Sequence, residues 1–144
     1  MKEFRVTVPH RPGGLAELLE YLAEREINLK AVISITEPEK ALVALVPYDV
    51  ELTRRSLEER GIAFEEAEVL FVDIPDKPGQ LAKVARAIAE AGVNIESIYP
   101  LGTIGCGECA RVQFGFRLDN LVKAKEALSA LEEWAPWVGV GGEG

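Results

Sequence analysis

Val72-Asp73-Ile74-Pro75-Asp76-Lys77-Pro78-Gly79-Gln80-Leu81-Ala82, followed further on by Val93-Asn94-Ile95, is the stretch around which this chain is organised. An apolar strand runs into a loop closed by Pro-Gly, and a helix starts at once. Proline pre-sets φ for a turn, and glycine lets backbone approach a helix start or a ligand closely. The first helical turn then presents N–H groups with no intrahelical partner. With the positive end of the helix dipole they form a seat for a carboxylate. The same pattern stands earlier as Val6-Thr7-Val8-Pro9-His10-Arg11-Pro12-Gly13-Gly14-Leu15-Ala16, ending in Ile27-Asn28-Leu29. Pro12 to Pro78 and Asn28 to Asn94 are both steps of 66 residues, so the chain is a duplication.

A length of 144 residues allows one ordinary domain or two very small ones, and the repeat decides for two. The expected units are 1–67 and 68–144, each near the lower limit for an independent core and packed together as one compact body. The chain is 48% hydrophobic and 28% charged, an ordinary globular balance. A net charge of −8 argues against non-specific binding to nucleic acid or to an anionic membrane, which need a basic surface. No apolar run approaches the roughly 18–20 residues of a membrane span. Met1-Lys2-Glu3-Phe4 enters a strand directly and lacks a signal-peptide pattern. Two cysteines are too few for a disulfide framework. A cytoplasmic location is expected.

Taken in order, Phe4, Val6 and Val8 alternate with Arg5 and Thr7, a strand with one buried face. Leu15, Leu18, Leu19, Leu22 and Ala23 recur at helical spacing, with Glu17, Glu20 and Glu24 on the other face. Residues 31–35 and 41–46 read as strands around the turn Thr36-Glu37-Pro38-Glu39-Lys40. Asp49 caps a helix through Arg60 that Gly61 ends, and 62–68 is a fourth strand. The second unit repeats this: a strand over 69–74, a helix over 79–91 stopped by Gly92, and a strand over 94–101. A Gly-rich turn over 102–107 leads to a returning strand over 110–118, with Val112, Phe114 and Phe116 on one side. Asp119 caps a helix ending near Glu133, and 134–140 supplies the last strand before a loose tail over 141–144. Each half therefore reads βαββαβ, an α+β sandwich of ferredoxin-like topology with helices on one face of an antiparallel sheet.

These residues resemble the ACT domain family of small amino-acid-sensing regulatory modules. The resemblance rests on Pro12-Gly13-(Gly14)-Leu15 and Pro78-Gly79-(Gln80)-Leu81, on the apolar-Asn-apolar opening of the second strand, and on the βαββαβ order. It covers nearly the whole chain as two tandem copies, a stand-alone tandem protein. It implies allosteric regulation by a small effector, commonly an amino acid, bound between paired units at the loop after the first strand and the start of the second. Carried over, the contacts are His10, Arg11, Gly13, Gly14, Leu15, Asn28 and Leu29 in the first unit. In the second they are Asp76, Lys77, Gly79, Gln80, Leu81, Asn94 and Ile95. Many such loops carry Asp or Asn where His10 stands, so the first site departs from the pattern while Asp76 keeps it.

Each feature also has a plainer reading. The Pro-Gly loop can be a tight turn and nothing more. As a site, the N–H groups of Gly79, Gln80 and Leu81 would hold a carboxylate while Asp76 or backbone carbonyls hold an ammonium. Asn28 and Asn94 can fix the helix–strand turn by local hydrogen bonds, which does not exclude a ligand contact. His10, the single histidine, cannot alone build a triad or a metal site; Arg11 and Lys77 can attract an anion or stay solvated. Cys106-Gly107-Glu108-Cys109 is a C-x-x-C pair, a structural turn or else a redox couple or half a zinc site. Trp134 and Trp137 suit a core seal or a subunit interface equally. Ser34, Ser56, Ser97 and Ser129 lack a G-x-S-x-G context, and there is no phosphate loop or dinucleotide fingerprint.

The expected function is thus a non-enzymatic, cofactor-free homodimer that binds a free amino acid. Its rivals are an interaction subunit docking on a biosynthetic or catabolic enzyme without an effector of its own, and a metal or redox sensor through Cys106 and Cys109.

Overall fold

The computed structural model describes residues 1–131 and 138–140. The chain divides into two compact units, Met1–Ala67 and Glu68–Gly144. The first contains β1 (Lys2–Pro9), α1 (Gly14–Glu24), β2 (Leu29–Thr36), β3 (Lys40–Pro47), α2 (Val50–Glu59) and the opening of β4 (Phe64–Pro75). Its strands lie in the order β2-β3-β1-β4. Period-two alternation puts Phe4, Val6 and Val8 of β1 on one face, opposite Leu45, Val43 and Ala41 of the antiparallel β3. Leu18, Tyr21 and Leu22 from α1 and Leu57 from α2 close over that face. Asp49 caps α2 by accepting the Leu52 N–H at 2.9 Å, and Gly61 at φ +69° lets the chain leave it.

The second unit continues β4 and adds α3 (Gln80–Glu90), β5 (Ile95–Ile104), β6 (Arg111–Leu118), α4 (Leu121–Ser129) and β7 (Val138–Val140). Its order is β7-β4-β6-β5, the same arrangement as in the first unit. Leu70, Val72 and Ile74 of β4 meet Val84 and Ile88 of α3, Phe116 of β6, and Ala124 and Leu128 of α4. Both units are therefore α+β and ferredoxin-like, with two helices packed on an antiparallel sheet.

Several boundaries differ from the sequence reading. Two strands were expected over 62–68 and 69–74, but β4 is a single strand of 12 residues. No proline or glycine interrupts Phe64 to Ile74, so nothing breaks the extended backbone between them. β5 runs on through Gly102 to Ile104, absorbing the glycine at a register shift between Pro100 and Gly102. The cap of α4 is Asn120, which accepts the Lys123 N–H at 3.1 Å, and Asp119 has another task described below. The backbone of Val138–Val140 pairs with Leu70–Val72, whereas Trp134, Trp137, the expected helix end near Glu133 and the tail over 141–144 lie outside the described residues. Among the described residues no helix is long and apolar enough to cross a membrane.

On the sheet face away from the helices, Phe71, Gly115 and Tyr99 stand in one row across three strands. A Cβ on Gly115 would lie 2.7 Å from Tyr99 Cε2 and 3.2 Å from Phe71 Cε1, and both rings are almost fully buried. Gly115→Ala is expected to lower stability by about 1–3 kcal/mol through overpacking, read as a shift of the urea midpoint. An unchanged midpoint would show that the two rings can give way.

Candidate functional site

The two Pro-Gly loops are built from the same hydrogen bonds. In the first, Arg11 N–H donates to Pro9 O at 3.0 Å and Gly14 N–H to Arg11 O at 3.0 Å, while His10 N–H reaches Glu39 O at 3.3 Å. In the second, Lys77 N–H donates to Pro75 O at 2.9 Å, Gln80 N–H to Lys77 O at 3.3 Å, and Asp76 N–H to Ala110 O at 2.9 Å. Gly13 and Gly79 occupy the cap positions at φ +89° and +83°, a left-handed conformation that glycine adopts at no steric cost. The first helical bonds are Glu17 N–H to Gly13 O and Lys83 N–H to Gly79 O.

Between the loop bonds and the helical bonds lie the amides of Leu15 and Ala16, and of Leu81 and Ala82. None of these four has an acceptor among the described residues. The Gln80 amide, expected to face a ligand, is instead turned inward onto Lys77 O. α1 and α3 have no side-chain cap, in contrast to α2 and α4, whose Asp49 and Asn120 provide one.

Clefts adjoin both helix starts. One of about 300 Å³ is lined by Pro9, Gly14, Glu17, Leu18, Tyr21 and Arg60. The Arg60 guanidinium lies 4.5 Å from the centroid of the Tyr21 ring, and the Tyr21 hydroxyl donates to Ser56 O at 2.6 Å. Sequence reasoning missed Tyr21 and Arg60, because the register between α1 and the end of α2 is a tertiary fact with no local signal. The other cleft, about 480 Å³, is lined by Gly79, Ala82, Lys83, Arg86, Ala87 and Leu131. A third, about 400 Å³, lies against Arg5, Thr7, Leu42 and Phe64, away from both loops. Arg11 donates to both carboxylate oxygens of Glu17, at 2.9 and 3.2 Å, and both side chains are about half exposed or more. His10, Asp76 and Lys77 are exposed.

The structure does not bring the loop of a unit to the start of that unit's second edge strand. β1 ends at Pro9 opposite Lys40, whereas β2 begins at Leu29 opposite Pro47, seven residues away along β3. At about 3.3 Å per residue this is roughly 23 Å. Pro75 opposite Arg111 and Ile95 opposite Leu118 repeat the separation in the second unit. His10 to Leu15 therefore sit at the other end of the sheet from Asn28 and Leu29, and Asp76 to Leu81 at the other end from Asn94 and Ile95. No free amino acid spans that length.

Asn94 instead clasps the turn before α4. Its backbone N–H donates to Asp119 Oδ1 at 3.0 Å and its side-chain Nδ2 to Asp119 Oδ2 at 2.8 Å, while Asp119 N–H donates to Asn94 O at 3.2 Å. These hydrogen bonds, that of the Asn94 side chain first, hold the Asp119 carboxyl below its ordinary value of 3.8. A folded-state pKa lowered in this way contributes stability above the ordinary value, and the contribution is lost as pH falls through the lowered one. Asn94→Ala is expected to return the Asp119 titration towards 3.8, followed by the carboxyl chemical shift. An unmoved titration would mean that the side-chain bond is not formed in solution.

Residues 69–99 match the model of the ACT domain family. That stretch runs from β4 through α3 into β5 of the second unit. A stretch of 75 residues, half of this chain, is 43% identical to an aspartokinase of Mycolicibacterium smegmatis. The chain spans 18% of the length of that curated relative. Among solved structures, protein BT0572 from Bacteroides thetaiotaomicron is similar at a TM-score of 0.75 and 25% identity, over 89% of this chain and 85% of that one. The regulatory subunit of aspartate kinase from Thermus thermophilus shares the fold at a TM-score of 0.61 and 23% identity, over 89% of this chain and 87% of that one.

The two units differ at this turn. Asn28 O accepts the Tyr48 N–H at 3.1 Å, matching Asn94 and Asp119, but Tyr48 offers no carboxylate. The Asn28 side chain is exposed and makes no hydrogen bond among the described residues. Cys106 and Cys109 are exposed at the tip of the β5–β6 hairpin in the second unit. Among the described residues no group of three or more His, Cys, Asp or Glu is placed to hold a metal ion.

Proposed function

We propose that this protein is a non-catalytic regulator whose ACT-type units bind a small carboxylate effector, a free amino acid foremost. The observation that carries this reading is the contrast in capping within one chain. α2 and α4 receive their caps from Asp49 and Asn120, whereas α1 and α3, both opened by Pro-Gly, keep their first-turn amides unpaired beside a cleft. Unpaired amides at the positive end of a helix dipole suit a carboxylate. Asp76, Glu17 or a loop carbonyl can receive the ammonium. Because each loop lies a full strand length from Asn28 or Asn94, an effector that touches both kinds of element does so across paired units. Homodimerisation would supply such pairs and cover exposed edge strands. The effector would act only as far as its affinities for two states of assembly differ.

Isothermal titration of the full chain against the twenty amino acids tests the reading. Heat at millimolar or lower concentration is expected with one or a few of them. Gly79→Asp, which sets a carboxylate beside the Leu81 and Ala82 amides, is expected to weaken that binding about tenfold or more. No heat with any amino acid would remove the effector from the account.

A second reading is favoured by the aspartokinase relative, 43% identical over half of this chain. In it the protein is a regulatory subunit docking on an enzyme of amino-acid metabolism in the cytoplasm, with no effector of its own. A stoichiometric enzyme partner recovered together with silent titrations would select it.

A further inference from the structure

Cys106 and Cys109 are the two cysteines of the chain, and both are exposed free thiols between β5 and β6. Gly107–Cys109 forms one 3₁₀ turn, with Ala110 N–H donating to Gly107 O at 3.2 Å. Cys106 is the extended N-cap of this turn and Gly107 bends the chain at φ +63°, so the two thiols stand three residues apart on either side of a chain reversal. A disulfide needs roughly 4.4–6.8 Å between Cα atoms, a separation that a chain folded back over three residues can reach. The turn is also tight: a Cβ on Gly105 would stand 3.1 Å from Cys109 O.

The first unit has no counterpart to this turn. The amide of His10 bonds to Glu39, 29 residues on, and the amide of Asp76 to Ala110, 34 residues on. The second hairpin is therefore longer by five residues, and the longer tip carries both thiols. Its base is tied to the Pro-Gly loop, since Ala110 O accepts the Asp76 N–H at 2.9 Å and Arg111 Nη2 donates to Asp73 O at 2.8 Å.

We infer that Cys106 and Cys109 form a reversible thiol–disulfide switch that stiffens the loop at Asp76. The oxidant is a small-molecule disulfide. One cysteine thiolate attacks a sulfur of that disulfide, whose S–S bond breaks and releases one small thiol. The other cysteine thiolate attacks the protein sulfur of the mixed disulfide, forming the Cys106–Cys109 bond and releasing the second small thiol. Both thiol protons end on the released thiols, and two electrons pass from the cysteine pair to the small disulfide. Excess small thiol reverses the exchange. Closing the turn restricts Ala110, so the Asp76–Ala110 hydrogen bond opens less often. Any effect on an amino acid bound at this loop rests on the function proposed above; the switch itself does not.

The test equilibrates the full chain in oxidised and then in reduced glutathione. The oxidised protein is expected to weigh two hydrogen atoms less, carry no glutathione and remain free of intermolecular disulfides. Its Asp76 amide is expected to exchange at least about threefold more slowly, while the His10 amide in the other loop is unchanged. Cys106→Ser and Cys109→Ser should each abolish the slowing. Stable glutathione adducts on both cysteines, or an internal disulfide with Asp76 exchange unaltered, would overturn the inference. Because exchange is read without any amino acid present, silent titrations leave this result standing.

Discussion

Gly14→Ala is expected to cost about 3 kcal/mol, at the upper end of the range for forcing atoms into an occupied space. A Cβ at Gly14 would lie 2.3 Å from Pro9 O, a main-chain atom that cannot rotate aside. Pro9 is held in turn by the Arg11 N–H on the same oxygen, so relief requires the whole loop to open. For a unit of this size the melting temperature should fall by more than about 10 °C. The second unit supplies the control, since it carries Gln80 at the equivalent position and the fold as such accepts a side chain there. Gly79→Ala meets no atom within 4 Å and pays only for its φ of +83°, about 1–2 kcal/mol. A Gly14 variant as stable as the Gly79 variant would show that the first loop is looser than described.

Phe116→Ala is expected to be the most damaging truncation in the second unit, at about 3–5 kcal/mol. The ring is fully buried, with Leu70 and Ile98 as its cross-strand neighbours and Phe114 at 6.5 Å between centroids. Small domains have a total stability of about 5–15 kcal/mol, so this loss would leave little margin. Phe116→Leu keeps most of the volume and should cost less than about 1.5 kcal/mol. Urea unfolding of both variants checks the pair; equal midpoints would mean that ring volume does not set the packing there.

Much of the architecture could be read from residues alone because it is local. The 66-residue step, the alternation in β1 and β6, the Asp49 cap and Gly61 and Gly92 at helix ends are all short-range signals. What could not be read depends on distant partners. Asp119 and Asn120 are both good caps, and only the position of Asn94, 25 residues away, decides which of them caps α4. Glu3, fully buried with Arg5 Nε donating to it at 2.5 Å, looks from its type like a surface residue. For the candidate site, the loops and their open amides were legible from Pro-Gly. The distance from loop to Asn28 or Asn94 follows from topology and not from the motif, since a helical crossover makes β1 and β2 parallel and sends their opposite ends apart. The cleft wall formed by Tyr21 and Arg60 requires α2 to be placed in three dimensions.

The missing caps on α1 and α3 also bear on how the protein melts. A side-chain cap contributes about 1 kcal/mol to a helix, and here that contribution is left to the surrounding solution. Any anion that settles on those amides in the native state alone stabilises the fold with the logarithm of its concentration, by about 2.7 kcal/mol at a hundredfold excess over its dissociation constant. Thermal stability in this chain is then partly a property of the buffer, and comparing melts across a panel of anions would rank them without any label or partner.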